Sequence, residues 1–236
     1  MMTLRTFYLL ALVGGLLHGD GAAASALPPT ASAESLLTEM AKTYAALKSY
    51  SDESTAVYHN RDGSERLTVS FRIWFERPAN FRVDARSTAP GAKVPRREVL
   101  WSNGATTRSW ATDKAVASHA KVQLAGSGMF GTYAYHIPTL LDSNYASGQR
   151  LNDLTAPQIV GEEEVEGVPC HRIRGQWKGD RYEVWLGQGD HLVRKIVATY
   201  TDHEMEEIHR AIVLDQAIPS DVFQFAPENE KLPAKR

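Results

Sequence analysis

Residues 66–86, RLTVSFRIWFERPANFRVDAR, alternate apolar and polar side chains with a period of two. A helix cannot produce that period; a half-buried β-hairpin requires it. Leu67, Val69, Phe71, Ile73 and Phe75 fall on one face of the first strand, and Arg66, Thr68, Ser70, Arg72, Trp74 and Glu76 on the other. In the second strand Phe81, Val83 and Ala85 share a face, and Arg77-Pro78-Ala79-Asn80 supplies the turn chemistry. Directly paired residues share a face, so the pattern predicts Phe75 opposite Phe81, Ile73 opposite Val83, Phe71 opposite Ala85 and Arg72 opposite Asp84. A slip of one residue would set Glu76 against Phe81 and mix the faces. The apolar face must be covered, and the remaining elements are read with that in view.

The N-terminus reads as a cleaved signal peptide over residues 1–26. Arg5 precedes an apolar run from Phe7 to Leu17, and Ala24-Ser25-Ala26 has the small residues of a cleavage site. Residues 27–236 are then a single domain. Cys170 is the only cysteine, so no internal disulfide forms and no cysteine at the cleavage site can carry a lipid. Losing Arg5 and Asp20 leaves the net charge at −2, which argues against nucleic acid or an anionic membrane as the main partner. No later apolar run has transmembrane length. A soluble, monomeric periplasmic protein is expected.

Along the domain, Leu36, Leu37, Met40, Tyr44 and Leu47 recur at helical spacing, which predicts one amphipathic helix over 33–48 with Ser32 as its N-cap. Strands are predicted over 52–59, through the hairpin, and over 97–102 and 106–111 around Asn103-Gly104. The faces of that last pair are ambiguous, because Arg97, Val99, Trp101, Thr106, Arg108 and Trp110 fall together. Residues 115–155 break the alternation with Gly126, Gly128, Gly131 and Pro138 among many aromatic and aliphatic residues, and predict one or two short helices. From Gln158 the strand pattern returns over 169–176, 181–186, 191–201 and 205–217. In the last run, Ile208, Ile212 and Leu214 alternate with Glu207, His209 and Val213. Sequential hairpins with one long interruption predict an antiparallel, mainly β (α+β) fold.

Motifs for catalysis are missing. The HExxH zinc spacing, a G-x-S-x-G elbow and a phosphate-binding glycine loop do not occur, so no catalytic residue, metal site or cofactor is predicted and the chain is not read as an enzyme. Cys170 and His171 are adjacent on a strand and point to opposite faces, which predicts a buried, inert thiol. His203, His209 and the neighbouring glutamates read as a polar strand end, and the acidic run 162–166 as solvated charge.

Ile73 to Val83, IWFERPANFRV, resembles the first long hairpin of the LolA-like periplasmic lipoprotein carriers. The N-terminal helix, Ser102-Asn103-Gly104, Gly161 to Cys170, Tyr182 to Leu186 and Phe223-Gln224-Phe225-Ala226-Pro227 agree in order, across most of the mature chain. Residues 115–155 do not follow the carrier closely, which points to another branch of the superfamily. The resemblance implies an incomplete, curved antiparallel β-barrel whose helices cover a concave face, with 115–155 as a lid-like insertion. It further implies an apolar cavity lined by Leu67, Val69, Phe71, Ile73, Phe75, Phe81, Val83, Tyr133, Ile137 and Leu140, and a lid latch at Arg77. The residues alone fit an ordinary closed core and a solvated turn arginine as well. A ~16-carbon chain exposes roughly 12 kcal/mol of hydrophobic free energy to water, so a carrier needs continuous apolar surface. The expected function is a periplasmic carrier or binding protein for a lipid, a lipoprotein acyl chain or another hydrophobic ligand, with inner- and outer-membrane lipoprotein-sorting partners. The alternative is a sensor of the same fold that detects lipoproteins and signals to a protein partner.

Overall fold

A computed structural model describes residues 31–120, 135–145 and 150–229. Eleven antiparallel strands form one sheet: β1 (Ser49–Asn60), β2 (Glu65–Glu76), β3 (Asn80–Thr88), β4 (Arg96–Asn103), β5 (Thr107–Ala111), β6 (Lys114–His119), β7 (Thr155–Val165), β8 (Val168–Trp177), β9 (Asp180–Gly187), β10 (Val193–Thr199) and β11 (His203–Leu214). Their spatial order is β6-β5-β4-β3-β2-β1-β11-β10-β9-β8-β7. Two meanders, β1 to β6 and β7 to β11, are therefore joined by the pairing of the first strand with the last. The sheet stays open, with β6 and β7 as its edges, as expected of an incomplete barrel.

The hairpin adopts the register read from its alternation. Phe75 faces Phe81, Ile73 faces Val83, Phe71 faces Ala85 and Arg72 faces Asp84. Facing backbones do not here mean paired charges: Arg72 bonds Glu53 on β1, and Asp84 accepts from Arg82 at 2.6 Å and from Arg97 at 2.6 and 2.8 Å.

Helix α1 (Ala33–Ala46) begins where Ser32 Oγ accepts from the Ser35 N–H at 3.1 Å, the N-cap expected of it. Its buried residues Leu36, Leu37, Met40 and Tyr44 join the hairpin's apolar face in one core. A six-residue helix, α2 (His136–Leu141), and a short 3-10 turn at Leu151–Asp153 complete the cover, adding Ile137, Leu140, Leu141, Tyr145 and Leu151.

Two expectations are corrected, at β6 and β11, and one ambiguity is resolved, at β4 and β5. Residues 114–119, placed at the start of the helical insertion, form edge strand β6; this strand is almost wholly exposed, so burial imposes no alternation on its sequence. The ambiguous face of β4 and β5 has its own cover: Val99, Trp101 and Trp110 pack with Phe225 from the C-terminal segment, and Arg82 and Arg97 lie 5.1 and 5.3 Å over the Phe225 ring. The inner face of β11 carries Met205, Glu207 and His209, while Ile208 and Ile212 are only partly buried. A bulge at Ala211, with φ 48°, resets the strand beyond that point.

The packing predicts a contrast between interior and edge. Ile73→Ala, at a fully buried position, is expected to lower unfolding free energy by about 2–5 kcal/mol, against less than about 0.5 kcal/mol for Val116→Ala on β6, in urea denaturation followed by fluorescence.

Candidate functional site

The apolar residues of the hairpin face share one packed core with the helices. Val69, Phe71, Ile73, Phe75, Phe81, Val83, Ile137 and Leu140 are all buried in the main core, and Leu67 packs at its margin. Tyr133 lies outside the described residues. Among the described residues this face is covered by the two helices; Tyr145, for example, stands edge-on to Phe81 with ring centroids 5.1 Å apart. An open depression of about 390 Å³ is lined by Glu53, Ser70, Phe71, Arg72, Asp84 and Arg210 among others, and another of about 430 Å³ by His59, Arg61, Tyr200 and His203 among others.

Arg77 closes the end of this arrangement. A helix leaves its last carbonyls without intrahelical partners, and the same end carries partial negative charge. The Arg77 guanidinium serves such carbonyls on both helices: Nε donates to Leu47 O at 2.7 Å, and Nη2 donates to Ala45 O at 2.7 Å and to Leu141 O at 2.9 Å. The Arg77 N–H donates to Lys48 O at 2.9 Å, and the guanidinium lies 5.1 Å over the Phe75 ring. A planar fork with several donors suits this task better than an ammonium. One side chain thus ties the hairpin turn to the C-terminal ends of α1 and α2.

A second tie was not anticipated. Asp52 Oδ2 on β1 accepts from the hydroxyls of Tyr50 at 2.8 Å and Ser54 at 3.0 Å, and Oδ1 accepts from the Ile73 N–H at 3.2 Å. His209 Nδ1 lies 2.7 Å from the same Oδ2, and His209 Nε2 lies 2.9 Å from Glu207 Oε1. Glu207 Oε2 is 2.9 Å from His136 Nδ1 on α2. The side chains of Asp52, His209, Glu207 and His136 are fully buried. A chain of ionisable groups therefore crosses the apolar interior and ends on the helix that covers it. Burial disfavours the charged imidazole of His209, yet hydrogen bonds and charge from Asp52 and Glu207 prevail and push its pKa up to about 9. Burial likewise works against the Glu207 carboxylate, and His136 and His209 hold it below the usual range.

Asp52 and His136 drew no reading in the sequence; Glu207 and His209 were misplaced because they are polar, and polar residues on an alternating strand are assigned to the solvent face. The available signal was their shared parity with Met205, and that of Asp52 and Ser54 with Tyr50 and Ala56. Cys170 is buried as expected: its Sγ donates to Val168 O at 3.2 Å, and burial pushes the thiol pKa up.

Comparisons with known proteins bear on the whole arrangement. A family model described as "Predicted periplasmic protein (DUF2092)" matches residues 132–232. No curated protein sequence matches the chain. Among solved structures, the LolA superfamily protein NE2245 from Nitrosomonas europaea is 9% identical with a TM-score of 0.38, covering 82% of this chain and 98% of its own. Lipoprotein LppX from Mycobacterium tuberculosis is 12% identical with a TM-score of 0.48, covering 80% and 97%. LprF from Mycobacterium bovis is 10% identical with a TM-score of 0.50, covering 79% and 94%. The fold is shared with LprF. The open antiparallel sheet and the helices on its inner face are what the LolA-like resemblance in the sequence implied, and the expected periplasmic location agrees with the description of the matching family model.

The buried chain predicts a pH dependence with a definite sign. The folded-state pKa of His209, about 9, lies above its ordinary 6.5, so its contribution is complete below pH 6.5 and is lost as pH rises towards 9. Glu207 is depressed, so its contribution is complete above its ordinary 4.5 and is lost as pH falls further. Thermal unfolding followed from pH 4 to 10 is expected to peak between these limits, and His209→Gln to flatten the alkaline side.

Proposed function

We propose that the protein is a non-catalytic periplasmic binding protein that shields a lipid, a lipoprotein acyl chain or a related hydrophobic ligand between the concave sheet and its helices. The observation that carries this reading is the Arg77 tie. A guanidinium donating to terminal carbonyls of two helices, beside the apolar face of the hairpin, suits a cover that is held shut until a ligand enters. In the closed state Phe71, Ile73, Phe75, Phe81 and Val83 pack against the helices. Displacing the helices by a ligand exchanges one apolar contact for another, so the hydrophobic free energy is largely conserved. The polar contacts of Arg77, and at the start of α2 the His136 to Glu207 contact, are then the discriminating cost of opening. As a monomer, such a carrier would receive its ligand from an inner-membrane partner and release it to an outer-membrane one.

Native mass spectrometry of protein purified from periplasm is expected to show a co-purifying lipid, with saturable uptake of a pyrene-labelled hexadecanoyl probe. Repeated recovery of an empty protein that takes up no probe would overturn the reading. Arg77→Leu keeps the apolar stem and removes the donors; with charge-assisted bonds worth about 1.5–3 kcal/mol where buried and less at this exposed turn, several-fold faster probe uptake and release is expected in stopped-flow fluorescence. Unchanged rates would show that Arg77 is no latch.

A further inference from the structure

On the outer face of the sheet, opposite the core, one row of side chains is left without partners. Thr55, Ser70 and Arg86 follow one another across β1, β2 and β3, since Thr55 faces Ser70 and Ser70 faces Arg86. Their inward-pointing neighbours Ser54, Phe71 and Ala85 are buried. Side chains directly opposite each other start about 5 Å apart, so Ser70 is within reach of both flanking residues. None of the three has a side-chain hydrogen bond or ion pair among the described residues. They line the open depression of about 390 Å³, together with Arg72, Trp74 and Arg210. The charges around it are unevenly matched. Arg72 bonds Glu53, Arg210 bonds Glu166, and Asp84 is held by both Arg82 and Arg97. Counting Arg86, five guanidiniums stand against three carboxylates, each carboxylate already engaged. Arg86 also faces Arg97 across β3 and β4, a pairing of like charges that is unfavourable without a counter-charge.

We infer that Thr55, Ser70 and Arg86 form a seat for a phosphate monoester group on the outer face of the sheet. The inference stands apart from the carrier reading, which concerns the other face. The local surplus of two positive charges matches the charge of about −1.5 to −2 that such a group carries at pH 7. Two hydroxyls and a guanidinium are all donors to an oxyanion, the short hydroxyls at the floor and the long Arg86 at the side, so they meet different oxygens of one tetrahedral group. A carboxylate offers two oxygens in one plane and a single charge, which leaves part of the donor set and half of the surplus unmatched. The depression lies within the roughly 300–1,000 Å³ of small-molecule sites, so the organic part of the ester has room beside the half-buried Trp74. A chain of net charge −2 carries such a patch because the surplus is local.

The test uses protein purified from periplasm at constant ionic strength, with four probes: inorganic phosphate, glycerol 3-phosphate, acetate, and phosphatidylcholine vesicles carrying phosphatidic acid. The amide resonances of Thr55, Ser70 and Arg86 are expected to shift saturably with the two soluble phosphates and not with acetate. Arg86→Gln is expected to weaken binding about tenfold, the scale of one charge-assisted hydrogen bond, and Ser70→Ala several-fold. Lys42→Gln removes the same charge from α1, which packs on the other face, and is expected to leave binding unchanged. All three positions are exposed, so the variants are expected to keep the wild-type fold, checked by unchanged resonances away from the seat. Vesicle capture that Arg86→Gln abolishes, with weak binding of glycerol 3-phosphate, would support the seat and assign its ligand to a lipid headgroup. Saturable glycerol 3-phosphate binding without vesicle capture would support it and assign the ligand to a soluble ester. The absence of both would overturn the seat. Shifts of equal size with acetate, or equal losses in Arg86→Gln and Lys42→Gln, would reduce the binding to general charge attraction and overturn it as well.

Discussion

The pairing of β1 with β11 is the contact on which the rest of the structure depends. Each meander alone would present two free edges and an uncovered apolar face. Joined through β1 and β11, they make one sheet in which β6 and β7, neighbours in sequence order, lie at opposite edges. Of the chain between them, the described residues 136–141 and 151–154 pack on the inner face. Helix α2 thus comes from the segment that links the two edge strands in sequence, and it supplies part of the cover. The same pairing brings Asp52 of β1 beside His209 of β11, so the buried polar chain exists only because the first and last strands meet.

An interior built this way combines a permissive material with an exacting one. The hairpin face and the inner sides of the helices are aliphatic and aromatic, and they meet by shape and volume, which many partners can satisfy. The chain from Asp52 to His136 accepts few alternatives, because a buried charge that loses its partner is expensive. Apolar contact holds the helices near the sheet; the polar chain fixes which helix sits where. Both ends of α2 are held by polar contacts, His136 at its start to Glu207 and Leu141 O at its end to Arg77.

How far the sequence revealed this depended on whether one face of an element was simply apolar. The hairpin register was legible to the residue because only one pairing keeps Phe71, Ile73 and Phe75 together with Phe81, Val83 and Ala85. Helix α1 was legible for the same reason, with Ser32 marking its start. Strand β6 was not, since an exposed edge strand has no face to bury. The face of β4 and β5 could not be resolved locally because its cover, Phe225, arrives from more than a hundred residues away. Glu207 and His209 were assigned outward because a strand's polar residues normally are; what reverses them is Asp52, a partner some 150 positions distant in the chain. Arg77 was placed as a latch by resemblance, and the carbonyls it reaches are visible only in three dimensions.

The sharing of Arg77 between two helices carries a kinetic consequence. Were each helix fastened by its own side chain, the cover could be opened in stages, each stage paying for its own bonds. Here a single guanidinium holds Ala45 O and Leu47 O on one side and Leu141 O on the other, so swinging it away releases both helix ends in one event. The two C-terminal ends therefore share one fastening while the start of α2 keeps its own at His136 and Glu207, so loss of the Arg77 bonds would free both ends together and leave α2 hinged at its first residue.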